Sequence, residues 1–317
     1  MNKERDKIAK KGSVIGIIAN SVLAFFKIIF GFLSGSVAIL GDGVDSASDI
    51  ITSTITLIST QISAKPPDKE HPYGHERAET IATKVVSMII FFAGGQLAIT
   101  SIQRLFQGIP EIKHMGIIIL ISSVSIAAKY FLFKYKYNIG KIIDSSVFIA
   151  DAYNMRNDIL ISLSVLTGML VIYFTDLVIV DTLLGIFVSI IVIKNAIGLF
   201  LESSQELMDG IDRENDVYRQ LFTSLEKLQN VRNPHKVRIR KMGYKYLVEL
   251  DIEVDGSLSV NEAHKIAKNV EEVIMEKNKN IYDVHVHMEP SGNVEDEKYG
   301  VSNDEVDSQN NSEQSSY

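Results

Sequence analysis

The sequence predicts an α-helical membrane protein: a six-helix transmembrane domain followed by a small α+β (αββαβ) cytoplasmic domain of ferredoxin-like, metallochaperone-like type. Three observations predict it. Apolar runs of spanning length fill the first two thirds of the 317 residues. Polarity rises abruptly after Leu201. The residues from Asp212 onward carry helix and strand periodicities in the order αββαβ.

The six apolar segments are Ser13–Leu33, Ser36–Ile62, Ile81–Ile102, Met115–Phe133, Ser145–Phe174 and Val178–Leu201. Each is close to or longer than the roughly 20 residues that cross a bilayer as a helix. The first is too long for a signal-peptide core and has no convincing cleavage site, so the basic start MNKERDKIAKK reads as a cytoplasmic anchor. With the N-terminus inside, the inner segments carry Lys3, Arg5, Lys7, Lys10, Lys11, Lys65, Lys69, Arg77, Lys129, Lys134, Lys136 and Lys141, whereas the outer turns carry only Arg104 and Lys113. That asymmetry places both termini in the cytoplasm. A multi-pass protein of a cell membrane follows, and a bacterial one is expected.

Beyond the spans, Arg213–Gln229 has helical spacing, Lys236–Lys241 and Tyr246–Val254 alternate as strands, Ser259–Lys277 is helical, and Tyr282–Met288 is a third strand. The domains are expected at 1–211 (transport), 212–292 (cytoplasmic) and 293–317 (an acidic disordered tail). A unit of about 80 residues gains from dimerisation. The chain has 32 basic and 39 acidic residues, and six of its seven net negative charges lie after residue 290. The rest is near neutral, which excludes a nucleic-acid partner. The absence of cysteine excludes disulfides, thiol chemistry and Cys-type zinc sites.

Ionisable groups inside spans are expensive and mark function. Span two contains G-D-G-V-D-S-A-S-D, with Asp42, Asp45 and Asp49 at i, i+3, i+7; span five contains A-D-A-Y-N-M-R-N-D, with Asp151, Asn154 and Asp158 at the same spacing. Each triplet shares one helix face. At 1.5 Å per residue, Asp45/Asp49 and Asn154/Asp158 lie roughly 13 to 20 Å deep from opposite sides, the middle of a core about 30 Å thick. Converging carboxylates repel unless a cation or protons compensate them, which is the chemistry of an antiporter. The plainer alternative is a structural polar network in which these acids pair with Lys27, Lys84, Arg156 or Lys194.

Six spans, the D-x-x-x-D of span two, the spaced pair in span five, D-K-E-H-P-Y-G-H-E-R-A-E after span two, E-S-S-Q-E-L-M-D after span six and the αββαβ ending together resemble the cation diffusion facilitator family. The resemblance covers nearly the whole chain. It implies a homodimeric secondary transporter, not an enzyme, with no catalytic cofactor, exchanging a divalent transition metal for H⁺ by alternating access. It assigns transport to Asp45, Asp49, Asn154 and Asp158, with Asp42 and Asp151 behind them or on the access path. Zinc-transporting members commonly have His where Asn154 stands. An all-oxygen shell suits Mn²⁺ better than Zn²⁺, and the pattern looks like that of the manganese exporters, with Fe²⁺ or Zn²⁺ efflux as alternatives.

The seven histidines add further candidates. His71 and His75 stand with Asp68 in the inner loop as H-x-x-x-H, a loop in which the family can hold a second metal; a solvated loop is the alternative. On the third strand His285 and His287 share a face that Glu289 extends. By resemblance His235, Asp251, His264, His287 and Glu289 match positions that bind regulatory metal, against the alternative of exposed strand histidines. Arg77 and Asp209 match an intersubunit charge interlock. Two other classes compete. A membrane prenyltransferase shares D-x-x-D-x-x-x-D as a Mg²⁺–diphosphate motif, but holds it at the water interface in a protein of more spans. A metal sensor would leave the mid-membrane acids unexplained.

Overall fold

The computed structural model describes the chain apart from residues 1, 64, 66, 76, 143–145, 211–215, 227, 229, 243–244, 293–299 and 303–317. Six long helices, α1 (Asn2–Ser34), α2 (Val37–Ser63), α3 (Arg77–Gln107), α4 (Met115–Ile142), α5 (Ser146–Thr175) and α6 (Ile179–Leu207), precede α7 (Asp216–Leu225), β1 (Arg232–Met242), β2 (Lys245–Val254), α8 (Val260–Lys277) and β3 (Ile281–Pro290). The chain forms two compact units, Met1–Ser59 with Ala82–Leu201, and Thr60–Ile81 with Glu202–Tyr317. The inner loop and the end of α6 thus belong with the cytoplasmic unit, a division different from one cut near residue 211.

Among the described residues, five helices are long and apolar enough to cross a membrane; α2 is the exception. It has the length, 27 residues, but Asp42, Asp45 and Asp49 interrupt its apolar character. In the helical unit Ala38, Ile39, Val86, Ile90, Ile118, Val165, Met169, Val188 and Val192 form a buried core drawn from α2 to α6. Phe32, Phe92, Phe131 and Phe174 point outward, the inside-out distribution that lipid permits. Small residues let helices approach closely: a Cβ on Gly43 would lie 3.0 Å from the backbone nitrogen of Ile28. α1 and α2 are therefore pressed together beside Asp42.

The helices also run farther than their apolar cores. α4 continues to Ile142, so Lys134, Lys136 and Lys141 are, like Lys129, helical residues and not loop charges. Lys129 is buried. Lys136 packs on Gly16 of α1, where a Cβ would meet its side chain at 2.7 Å. The inner basic excess is correspondingly smaller than a count of flanking lysines indicates.

In the second unit the sheet order is β1-β2-β3. β1 and β2 are antiparallel, and β2 and β3 are parallel, a pairing that requires a crossover connection, here α8. Val248, Leu250, Ile252 and Val254 join Leu221, Phe222, Val270 and Ile274 in the core. The intervening residues, Glu249, Asp251 and Glu253, take the other face, as period-2 alternation requires. Register sets Asp251 opposite His235 on β1 and opposite His287 on β3.

β1 begins at Arg232, four residues before the alternating run Lys236–Lys241, because it is irregular at its start. The register shifts on both sides of His235, and Asn233 and Lys236 adopt left-handed backbone with φ of 43° and 49°. A bulge of this kind re-aims a side chain. Val301, from the stretch expected to be a structureless tail, exchanges backbone hydrogen bonds with Val237 at 3.1 and 2.9 Å and is buried in the core. Gly300 makes that approach possible: its φ is +100°, and a Cβ there would fall 2.5 Å from the Lys236 carbonyl carbon.

Helix α8 starts with a capping box, in which Ser259 and Glu262 satisfy each other's backbone N–H groups. The Ser259 hydroxyl and then its backbone N–H hold the Glu262 carboxyl below the usual carboxylate range. A depressed folded pKa contributes stability that is complete above the unfolded value of about 4.3 and is lost as pH falls through the folded value. Ser259→Ala is expected to destabilise the unit by about 1 kcal/mol. Hydrogen exchange of the first turn of α8 in the full-length protein should show the difference at about pH 7 and a much smaller one at about pH 3.

Candidate metal transport site

Asp181, at the start of α6, receives hydrogen bonds from the Ser36 hydroxyl, from Val37 N at 2.9 Å and from Ala38 N at 3.1 Å. One carboxylate thus caps the N-terminus of α2, where backbone N–H groups lack helical partners and the dipole favours negative charge. Arg104 of α3 lies 3.7 Å from Asp181 and donates to the Gly35 carbonyl at 2.6 Å. Three helices are tied at the Ser36 end, which sets the position of every residue farther along α2.

One turn beyond, Asp42 forms a buried ion pair with Lys27 of α1 at 2.7 Å. Ser162 of α5 donates to Asp42 at 2.8 Å and accepts from Lys27 at 3.1 Å. The plain structural alternative thus describes Asp42: it is a paired residue, pressed against α1 by the close contact at Gly43. Lys84 instead stacks on Phe200, and Arg156 on Tyr153.

Farther along the same face, Asp45 and Asp49 meet Asp158 of α5, with one carboxylate oxygen from each within 4.8 Å of the others. Asp45 is buried and the other two are half-buried. Asp45 Oδ2 has no hydrogen-bond partner among the described residues. Lys129 of α4 stands 3.7 Å from Asp158, a neighbour that counting it among the inner basic charges conceals. Asn154, one turn before Asp158, is exposed; the side chain of Asp151 lies outside the described residues. Three carboxylates this close favour a dication or protons between them.

The second unit holds two further clusters. In the inner loop His71 Nδ1 and His75 Nε2 lie 3.3 and 3.5 Å from Asp68, and the two rings are 4.4 Å apart. The backbone N–H of His71, followed by that of Glu70, holds the Asp68 carboxyl below its usual range. His75 Nδ1 is buried without a partner among the described residues. On the sheet, His235, Asp251 and Glu289 converge and are buried, because the bulge turns His235 inward. Lys236 reaches the same acids, 3.3 Å from Asp251 and 3.4 Å from Glu289. His264, His285 and His287 are exposed and outside that cluster. His285 pairs with Asp283, and His287 lies 3.7 Å from Glu289.

Arg77 and Asp209 are paired within one chain. Asp209, in left-handed backbone with φ of 60°, also meets Arg240 of β1 at 3.1 Å. Beside it Glu206 accepts from Thr80 at 2.9 Å and pairs with Lys241 at 3.2 Å. The start of α3, the end of α6 and β1 are thereby stitched together.

Residues 13–208 match the family described as the cation efflux transmembrane domain, and residues 213–291 match the cation efflux protein cytoplasmic domain. The manganese efflux system protein MneS of Bacillus subtilis is 33% identical over 287 residues, covering 90% of this chain and 96% of that protein. The manganese efflux system protein MneP of the same organism is 28% identical, covering 92% and 99%. The cation-efflux pump FieF of Serratia proteamaculans is 25% identical, covering 95% and 99%.

Asp181→Ala is expected to destabilise the protein by about 3 to 5 kcal/mol, since it strands buried donors and leaves Arg104 without its anion. Asp181→Asn keeps one acceptor oxygen and should cost less. Thermal unfolding of the full-length protein in detergent gives the ranking wild type above Asn above Ala.

Proposed function

The chain belongs to the cation diffusion facilitator family, as a multi-pass metal cation efflux transporter and not an enzyme, and we propose that it exports Mn²⁺ in exchange for protons by alternating access as a homodimer. The observation that carries this reading is the meeting of Asp45, Asp49 and Asp158 within 4.8 Å at the contact of two membrane helices. Asn154, exposed and one turn before Asp158 on α5, would add an amide oxygen to that shell. Oxygen donors with room for water suit Mn²⁺, whereas zinc favours a closed tetrahedral set that includes nitrogen or sulfur. Two full-length relatives are named for manganese efflux, which supports the same choice.

Exchange follows from charge. A dication and protons are alternative ways of relieving the same cluster of carboxylates, so loading one expels the other. The cytoplasmic domain supplies the dimer contact, and His235, Asp251 and Glu289 there, with Asp68, His71 and His75 in the inner loop, bind metal in a regulatory capacity.

Proteoliposomes loaded in parallel with Mn²⁺, Fe²⁺, Zn²⁺ and Cd²⁺ test the substrate. Mn²⁺ should be carried fastest, and acidifying the receiving compartment should accelerate it; equal rates without counter-movement of protons would exclude exchange. Asp49→Ala or Asp158→Ala should lower transport of every ion by about a hundredfold or more, the cost of an unbalanced buried charge. Asn154→His should raise the Zn²⁺ to Mn²⁺ flux ratio. An unchanged ratio in an active protein would place selectivity at other residues, and a ratio led by Fe²⁺ would replace manganese as the substrate.

A further inference from the structure

We infer that Lys129 is a tethered counter-cation of the transport site, one that holds Asp158 and limits how tightly the dication is held. The inference rests on the transport reading above and concerns a residue to which that reading gives no role.

Lys27 and Lys129, the two lysines beside the acids of α2 and α5, are in contrasting states. Lys27 has close partners: it lies 2.7 Å from Asp42 and donates to Ser162, which in turn donates to Asp42. Lys129 is equally shielded, with a side chain only 2% exposed. It stands 3.7 Å from Asp158, well beyond the 2.7–2.9 Å of a charge-assisted hydrogen bond. Its Nζ has no hydrogen-bond partner among the described residues. An ammonium so placed is held by the field of nearby carboxylates and not by a fixed partner. α4 packs along α5, so Lys129 faces the helix that carries Asp158.

Formal charge states the consequence. Asp42, Asp45, Asp49 and Asp158 stand against Lys27 and Lys129, leaving a deficit equal to one dication. A loaded site is then balanced. Without Lys129 the loaded site would keep one surplus negative charge, and in a medium of low dielectric that surplus holds the metal more tightly. A transporter must release what it binds. Lys129 stays inside the bundle when metal arrives, competes for Asp158 and weakens binding to a level from which the ion can leave.

The test compares wild type, Lys129→Gln and Lys129→Arg, each full-length. Mn²⁺ affinity is read by calorimetry in detergent, and KM and kcat by flux in proteoliposomes. Lys129→Gln should bind Mn²⁺ at least about tenfold more tightly, with KM and kcat both reduced because release slows. Lys129→Arg should bind it more weakly than wild type, since guanidinium pairs with a carboxylate in two-pronged fashion. A purely structural lysine would move unfolding temperature without moving the two affinities in opposite directions. If Lys129→Gln does not fold, the arginine variant decides alone: affinity equal to or tighter than wild type overturns the inference. Folded Lys129→Gln with unchanged or weaker affinity also overturns it. Wild type that carries Mn²⁺ while neither variant shifts affinity defeats this inference only; wild type that carries none defeats the manganese reading and this inference with it.

Discussion

Water cannot solvate a charge in the middle of a bilayer, so each ionised side chain among the helices must find its compensation inside the protein. The helical unit shows this constraint met to different degrees. Asp181 is met in full, by a hydroxyl, two backbone N–H groups and Arg104. Asp42 is met by Lys27 and Ser162. Asp45, Asp49 and Asp158 share one loosely placed ammonium. The transport site is therefore the place along α2 where compensation runs short, and the two compensated acids that precede it, Asp181 at the Ser36 end and Asp42 on α2 itself, fix where the shortage falls.

Position follows from the same contacts. Asp181 caps α2 at its Ser36 end, and Gly43 lets α1 approach until Lys27 reaches Asp42. Asp45 and Asp49 then follow one and two turns farther on, facing Asp158 across the contact with α5. A carboxylate that accepts from two helix N–H groups also benefits from the helix dipole. Each of these contacts is far costlier to break in hydrocarbon than in water, which makes the arrangement of α2 against α1 and α6 rigid where it precedes the site.

Much of this was legible in the amino-acid order. Spacing of i, i+3, i+7 puts Asp42, Asp45 and Asp49 on one face, and a depth argument pairs them with Asp158 without reference to any fold. The strict alternation of β2 assigns Asp251 to the face away from the helices. Other features leave no such trace. Lys129 lies near the inner end of the fourth apolar segment and reads as one of the inner basic charges, until it is seen to be buried beside Asp158. Asp181 sits at a span boundary, where an acid is unremarked. The bulge in β1 breaks the alternation that would have announced the strand from Arg232, and Val301 is a single apolar residue within a polar stretch. Burial of one side chain by a distant segment has no periodicity to read.

The two units set an ammonium against a cluster of acids in different solvents, and the difference decides what each lysine can do. Lys236 lies 3.3 and 3.4 Å from Asp251 and Glu289, with 18% of its side chain exposed. A metal taking those carboxylates beside His235 would displace Lys236 toward water, where its charge is solvated at little cost. Lys129 has no such outlet at 2% exposure. It must remain near whatever occupies the site, because moving it into hydrocarbon would cost more than the repulsion it suffers. An ammonium that can leave makes binding a simple competition; one that cannot leave becomes a lasting part of the charge that the transported ion meets. The bilayer thus converts an ordinary lysine into a fixed element of the site, whereas the same residue on the cytoplasmic sheet acts as a removable occupant.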